Sequence, residues 1–344
     1  MPGPAPPRRP RLSAAAAVDE ASFHAWLARS LPAGRHGLLP LGDDAAAVRV
    51  PAGSVAVVTT DSLVEGTHFL RDSPPEAIGR AAAAVSASDA AAKGAAPAAL
   101  LLALLVPPGT PRAWAEGVTR GAERAARAVG AELVGGDTKP APVRAIVSSL
   151  LAWAPPHRLA PRTRARPGDV LVTTGTVGRG GAAAYRLRHA PAGPRRLRAL
   201  RAILDVRPRV PEGRRLAASA RAMLDTSDGI ADAARLLAAA SRVAVVVERA
   251  ALPVDPALRR LPPAEGEAAL VYGGDYELLA ALPPGAFPSA ARAVRGVGGR
   301  LTRIGRIERG SGAWFEGPGP AGTSRRPMPP GGWRPFGRGR PPHG

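Results

Sequence analysis

The chain of 344 residues contains no cysteine, so disulfides, thiolate metal sites and cysteine nucleophiles are excluded outright. Aromatics are scarce, with three Tyr, five Phe and five Trp. Only Tyr185 stands among the arginine runs, which argues against a base-stacking nucleic-acid platform. No apolar stretch is long enough for a membrane span: the longest, residues 95–106, contains Pro97 and falls short of the roughly 20 residues required. The first twenty residues carry basic side chains but no apolar core of a signal peptide, so the expectation is a cytoplasmic protein. The histidines are unclustered and no H-E-x-x-H occurs, which leaves no zinc pattern. Neither a G-x-x-x-x-G-K-[ST] loop nor a protein-kinase glycine loop is present, so any phosphoryl transfer belongs to another fold.

What is present is charge of one sign. Lys plus Arg number 47 against 27 Asp plus Glu, a net charge of +20. Lys93 and Lys139 are the only lysines, and the high Ala and Gly content accompanies this replacement of Lys by Arg. The excess sits in three segments: residues 1–12, residues 157–215 with fifteen Arg against Asp169, Asp205 and Glu212, and residues 325–344. The remainder is neutral. The Arg-rich segments raise non-specific affinity for phosphates or nucleic acid without specifying either, and no specific nucleic-acid partner is expected.

Between the Pro/Arg-rich ends, strand-like runs alternate with helix-like ones, which predicts an α/β protein. Strands are expected at 55–60, 100–106, 132–134 and 144–153, with helices over 75–92 and from Thr110 to Gly130. After the aperiodic segment 154–168, strands are expected at 169–174, 243–248, 276–282 and 301–307, and helices near 181–189, 212–222 and 229–241. This divides the chain into a basic tail at 1–12, domains at 13–155 and 156–336, and a tail at 337–344. Both tails, and much of 316–344, are expected to be disordered.

Five acidic motifs fall at strand ends or turns: LGDDAA (41–46), TTDSLVEGTHF (59–69), SASD (86–89), GGDT (135–138) and DTSDG (225–229). Each sets a carboxylate beside Gly, Ser or Thr, where tight turns offer further oxygens and N–H groups. Hard divalent cations such as Mg²⁺ take that donor set, usually completed by substrate phosphates. Asp44, Asp61, Asp89, Asp137, Asp225 and Asp228 would form an acidic well for more than one ion. Each Asp taken alone is equally a turn or helix cap. GTVGRGG (175–181) follows a strand and opens a helix, yet its spacing is not that of a dinucleotide loop, and a tight structural turn is favoured there.

The order GDDAA, TTDSLVEGTHF, SASDAAAKGA, LVGGDT, DTSDG and GGDYEL, with a late aromatic before Phe336, resembles the thiamine-monophosphate kinase family of the aminoimidazole-ribonucleotide-synthetase superfamily. The second motif is the most diagnostic. The selenophosphate-synthetase and hydrogenase-maturation relatives are disfavoured because this chain has no cysteine.

The resemblance implies two α/β domains: an N-terminal ATP- and Mg-binding domain whose strands pair across a homodimer into a barrel, and a C-terminal α/β sandwich-like domain. It implies the reaction of ATP with thiamine monophosphate to give ADP and thiamine diphosphate, assisted by several Mg²⁺ ions. Matched by motif position, Asp44, Thr59, Thr60, Asp61, Asp89, Asp137, Asp225 and Asp228 are implied as metal ligands, with Asp61, Asp89 and Asp137 central to catalysis. Gly136, Asp137, Arg162 and Ser227 are implied as nucleotide contacts, and His68 and Trp333 as substrate contacts.

The chemistry is compatible with this implication. The acceptor phosphate is already ionised at neutral pH and needs no strong base, whereas repulsion between two polyanions must be neutralised. Arg162 would add a fixed cationic fork, and Trp333 would stack on a thiamine ring. One departure stands out: relatives carry an acidic residue before the Asp of G-G-E-D-Y-E-L, and here that position is Gly274. Asp275 contacts substrate only if the loop slips by one, and it otherwise caps a turn. On this reading Gly274→Glu would strengthen binding of thiamine monophosphate. Two other readings stay open: a catalytically silent scaffold, and an Arg-driven phosphate- or nucleic-acid-binding protein.

Overall fold

A computed structural model describes residues 48–319 and 322–329, together with Phe23, Trp26, Leu27, Arg29 and Ser30. Asp44, Trp333 and both expected tails lie outside the described residues. Two sheets organise the chain, which is a mixed α/β protein. The first has four strands in the order β1–β4–β2–β3: β1 Val55–Val64, β2 Ala96–Val106, β3 Glu132–Pro140 and β4 Ala145–Ala154. β1 and β2 run antiparallel to β4, and β3 runs parallel to β2.

Two helices cover one face of this sheet: α1, Pro75–Ala92, and α2, Arg112–Ala128. Proline at the first helical position, Glu76 in the first turn and Gly94 at φ +70° just past the end make α1 start and stop where it does. The helices touch backbone to backbone. A Cβ on Gly79 would lie 1.8 Å from the Val118 carbonyl oxygen, and one on Gly121 would lie 2.1 Å from that of Glu76. Alanine and glycine are therefore required between these helices.

Residues 155–169 lead to a seven-stranded sheet in the order β11–β10–β7–β9–β5–β8–β6. Its strands are β5 Val170–Thr174, β6 Ala222–Asp225, β7 Ala244–Glu248, β8 Leu278–Leu282, β9 Leu301–Glu308, β10 Ala313–Gly319 and β11 Gly322–Pro327. Around it lie α3 Arg179–His189, α4 Pro194–Ile203, α5 Val210–Leu216, α6 Ile230–Ser241, α7 Pro263–Leu270 and α8 Phe287–Arg295. One face packs on α6 through Ile230, Ala234 and Leu237. The other, through Val172, Met223 and Leu278, meets Ala87, Ala91 and Ala92 of α1. α1 is thus buried against both sheets.

Residues 316–319 and 322–327, expected to be disordered, instead form most of the paired strands β10 and β11. Charge pairs across strands hold them: Arg306 donates to both carboxylate oxygens of Glu316 at 2.8 Å, and Arg325 reaches Glu316 and Glu308 at 2.8 Å. That lattice shows no apolar alternation and so left no strand signal. The expected helix near 212–222 ends at Leu216, and β6 begins at Ala222. No helix among the described residues is long and apolar enough to cross a membrane.

Candidate active site

A cleft of about 690 Å³ opens where β1 and α1 face the loops after β6 and before β8. Four carboxylates line it: Asp61 from β1, Asp89 from α1, and Asp225 and Asp228 from the end of β6 and the loop beyond. Ser227, His68, Thr60, Tyr272, Gly274 and Tyr276 also face it. Leu63, Val85, Val147, Ile203, Leu204 and Val206 give it an apolar wall. A smaller cavity of about 380 Å³, by Arg235 and Arg242 at the far end of α6, has no carboxylate in its lining.

The strand period of two places Thr59 and Asp61 on the helix-covered face of β1. There Thr59 Oγ1 donates to Asp89 Oδ2 at 2.5 Å, tying strand to helix. Thr60 falls on the opposite face and shares a 3.0 Å hydrogen bond with Ser149 Oγ. Ser88 of α1 donates to Asp225 Oδ2 at 2.6 Å, and Ser227 donates to Asp225 Oδ1 at 3.0 Å. A direct bond therefore joins the two halves at the floor of the cleft. Ser86, fully buried, bonds Ser148 Oγ at 2.7 Å and stands 3.5 Å from Asp61 Oδ2.

Burial and mutual repulsion set the electrostatics. Asp61 is pushed up to about 6, first by burial and then by Asp89 and Asp225. Burial likewise raises Asp225, against the lowering effect of its serine donors, and it raises Asp228, with Asp225 adding to it. Such a set is short of positive charge. A half-buried cation, Lys93, stands within electrostatic range of Asp225 and Asp89, and burial pushes it down to about 8. Lys93 Nζ donates to the Met223 carbonyl at 2.8 Å and the Ala160 carbonyl at 3.3 Å, crossing between the two sheets.

Oxygen donors deficient in positive charge suit Mg²⁺. Among the described residues, however, no three histidine, aspartate or glutamate side chains converge closely enough to enclose an ion. The set fits a cation that shares its coordination with phosphate oxygens and water. His68 accepts a hydrogen bond at Nδ1 from the Val64 amide at 3.1 Å, and burial lowers its pKa. This holds a neutral ring with its proton on Nε2.

Other expected residues sit elsewhere. Gly136 and Asp137 are exposed on β3, the opposite edge of the sheet from β1. Asp61 aligns with Ser148, then Leu102, then Gly136 across the strands, three inter-strand steps or roughly 14 Å. Arg162 is exposed in the connection between the sheets, outside the cleft lining.

Asp275 is held by backbone amides, as the turn-capping alternative expects. Its carboxylate is 1% exposed and accepts hydrogen bonds from the Gly178 and Gly180 amides at 2.7 and 2.8 Å. Those bonds turn it away from the cleft and occupy the N–H groups of the 175–181 loop, so the loop is a structural turn. Gly274 lines the cleft at φ +80° and donates its amide to the Ser227 carbonyl at 2.7 Å. Residues that sequence reasoning passed over include Ser86, Ser88, Tyr272, Tyr276 and the 203–206 wall. Only the two serines left a signal, since they belong to the SASD motif.

Residues 42–152 match the family model for the N-terminal domain of AIR synthase related proteins, and residues 166–314 match that for the C-terminal domain. The chain is 37% identical over 271 residues to thiamine-monophosphate kinase of Synechococcus elongatus, covering 73% of this chain and 82% of that one. The crystal structure of thiamine-monophosphate kinase from Stenotrophomonas maltophilia superposes with a TM-score of 0.75 at 31% identity, over 86% of this chain and 94% of that one. AaThiL complexed with AMPPCP and TMP superposes with a TM-score of 0.71 at 30% identity, over 86% and 91%. With both domain models matched in order and this likeness running through most of its length, the chain belongs to the thiamine-monophosphate kinase family of AIR synthase related proteins.

Proposed function

We infer that this chain transfers the γ-phosphoryl group of ATP to the phosphate of thiamine monophosphate, forming thiamine diphosphate. The observation that carries this is a single cleft lined by four carboxylates and by an apolar wall, in a chain of this family. Bound Mg²⁺ would neutralise both phosphate groups, and Asp61, Asp89, Asp225 and Asp228 are the residues that would hold it. The acceptor oxygen is ionised at neutral pH, so the chain supplies no base. It aligns two anions instead. Neutral His68 is placed to donate a hydrogen bond from Nε2, and the wall of Leu63, Ile203, Leu204 and Val206 excludes water from the ring end of the substrate. Incubating the purified protein with ATP, Mg²⁺ and thiamine monophosphate tests the reading. Failure to form thiamine diphosphate would sink it, and so would equal turnover of free thiamine, whose alcohol needs a base.

The same reading takes the active unit to be a homodimer. Among the described residues no strand pairs with the outer edges of β1 and β3, and the face of this sheet away from the helices exposes Val58 (71%) and Leu101 (43%), with Leu151 and Trp153 half-buried. An apolar sheet face with two open edges is an aggregation hazard unless covered. A second copy closing an eight-stranded barrel covers it and sets β1 of one protomer beside β3 of its partner. The partner subunit's Asp137 then approaches Asp61, which explains why a GGDT motif stands so far from the cleft within one chain. Light scattering after size exclusion checks the mass. A purely monomeric, active enzyme would overturn this assignment.

A further inference from the structure

Tyr276 lines the cleft, and nothing in the mechanism above uses it. Apart from Arg242, it is the only non-glycine residue at positive φ among those described, at φ +54°. A bulky side chain holds that conformation only where its surroundings impose it. They do so from both sides. Asp275, just before it, is fastened to the Gly178 and Gly180 amides. Glu277, just after it, makes two hydrogen bonds with Thr226: its amide donates to the Thr226 side-chain Oγ1 at 3.0 Å, and its carbonyl accepts from the Thr226 amide at 2.8 Å. Pinned in this way, the residue lines the cleft and packs on the apolar cluster of the other half of the molecule. It stands within electrostatic range of all four carboxylates, two from each half, and burial among them raises its pKa.

We propose that the Tyr276 ring is a spacer: it keeps Asp61 and Asp89 from closing with Asp225 and Asp228 on a cation, so that a divalent ion is held only together with the phosphate oxygens of a bound nucleotide. The arrangement around it agrees, because four carboxylates share one cleft and yet no three of them converge on a point. Each cation then finds one or two protein oxygens and takes the rest of its shell from phosphate and water. A site that trapped Mg²⁺ alone would hold the ion at positions set by the protein rather than by the two phosphates to be aligned. The proposal rests on the cleft being the ATP site, and it makes Tyr276 a positioning residue.

The test is Mn²⁺ binding, read as the loss of the free-ion electron paramagnetic resonance signal, with and without AMPPCP. The proteins compared are the full-length chain and its Tyr276→Phe, Tyr276→Ala and Tyr276→Gly variants. Wild type and Tyr276→Phe should bind Mn²⁺ weakly alone and more tightly with AMPPCP. Tyr276→Ala and Tyr276→Gly should bind it at least about tenfold more tightly without nucleotide, because an ion that gains carboxylate ligands is held more tightly. Glycine carries no penalty at positive φ, so Tyr276→Gly keeps the test valid if the alanine variant fails to fold. Unchanged or weaker nucleotide-free binding in folded Tyr276→Gly would overturn the spacer role. So would Tyr276→Phe behaving like glycine, or wild type binding Mn²⁺ equally with and without AMPPCP. No thiamine phosphate enters the measurement, so absence of kinase activity would count against the proposed function and not against this proposal.

Discussion

The two halves of the molecule each bring two carboxylates to the cleft, and they support them differently. Asp61 and Asp89 stand on a strand and in the last turn of a long helix, steadied by Thr59 and by the buried Ser86. Asp225 and Asp228 stand at a strand end and in a loop held by backbone bonds to residues 274 and 277, with Gly273 and Gly274 both at positive φ. A regular element positions a charge through its period, whereas a loop needs a second loop to hold it. The first pair should therefore tolerate loss of a neighbour better than the second.

The largest effect that would break the comparison is on turnover. Asp61→Asn and Asp89→Asn should each lower kcat by about 100-fold or more with the fold retained, because each removes a charged oxygen that no neighbour replaces. Steady-state kinetics alongside circular dichroism checks this, and near-normal activity in both variants would reduce these aspartates to turn residues. If Asp137 acts across the dimer, inactive Asp61→Asn and Asp137→Asn chains refolded together should regain activity. Their heterodimer carries one site with both lesions and one with neither. No recovery in demonstrated heterodimers places both residues in one protomer's site.

The loop-borne half should be the more fragile. Asp275→Ala leaves two buried amides without an acceptor and should lower Tm by about 5–10 °C, with KM for thiamine monophosphate little changed. A raised KM with an unchanged Tm would return Asp275 to the substrate.

Smaller effects follow from the cleft's charge. Asp61 titrates near 6 when folded, above its ordinary 3.8, so its contribution to stability is full below about pH 4 and is lost as pH rises through 6. Without divalent cations, Asp61→Asn should melt about 1–3 °C above wild type at pH 7–8, with the gap vanishing toward pH 4. Mg²⁺ added together with AMPPCP should raise wild type more than the variant. Gly274→Glu sharpens the comparison last. Its side chain would enter the cleft, and KM for thiamine monophosphate should fall severalfold, but positive φ costs about 1–2 kcal/mol and Tm should drop. A KM that does not move means this loop leaves the substrate alone.

Some of this was open to reading in the residues themselves. Helix α1 was legible over its whole length, from Pro75 to Ala92, because proline marks its start and glycine its stop. The motifs around Asp61, Asp89 and Asp225 were legible because a carboxylate beside Ser, Thr or Gly is a local pattern. Helix α4 and the β10–β11 pair were not. Arginines dominate α4, and ion pairs between distant residues hold the two strands together. Tyr276 left no trace either, since a positive φ at tyrosine arises from anchors at residues 178, 180 and 226 that are far away in the chain.

The amino-acid sequence by itself determined the α/β alternation, the absence of thiol chemistry, the acidic motifs and the family they belong to, because each is written in neighbouring residues or in the order of short segments. Only the tertiary structure decided that Asp61, Asp89, Asp225 and Asp228 share one cleft, that Asp137 stands at the far edge of its sheet, and that Asp275 meets the Gly178 and Gly180 amides. Those outcomes depend on strand order and on which buried amide a carboxylate meets, and both are settled by packing between segments remote from one another in the chain.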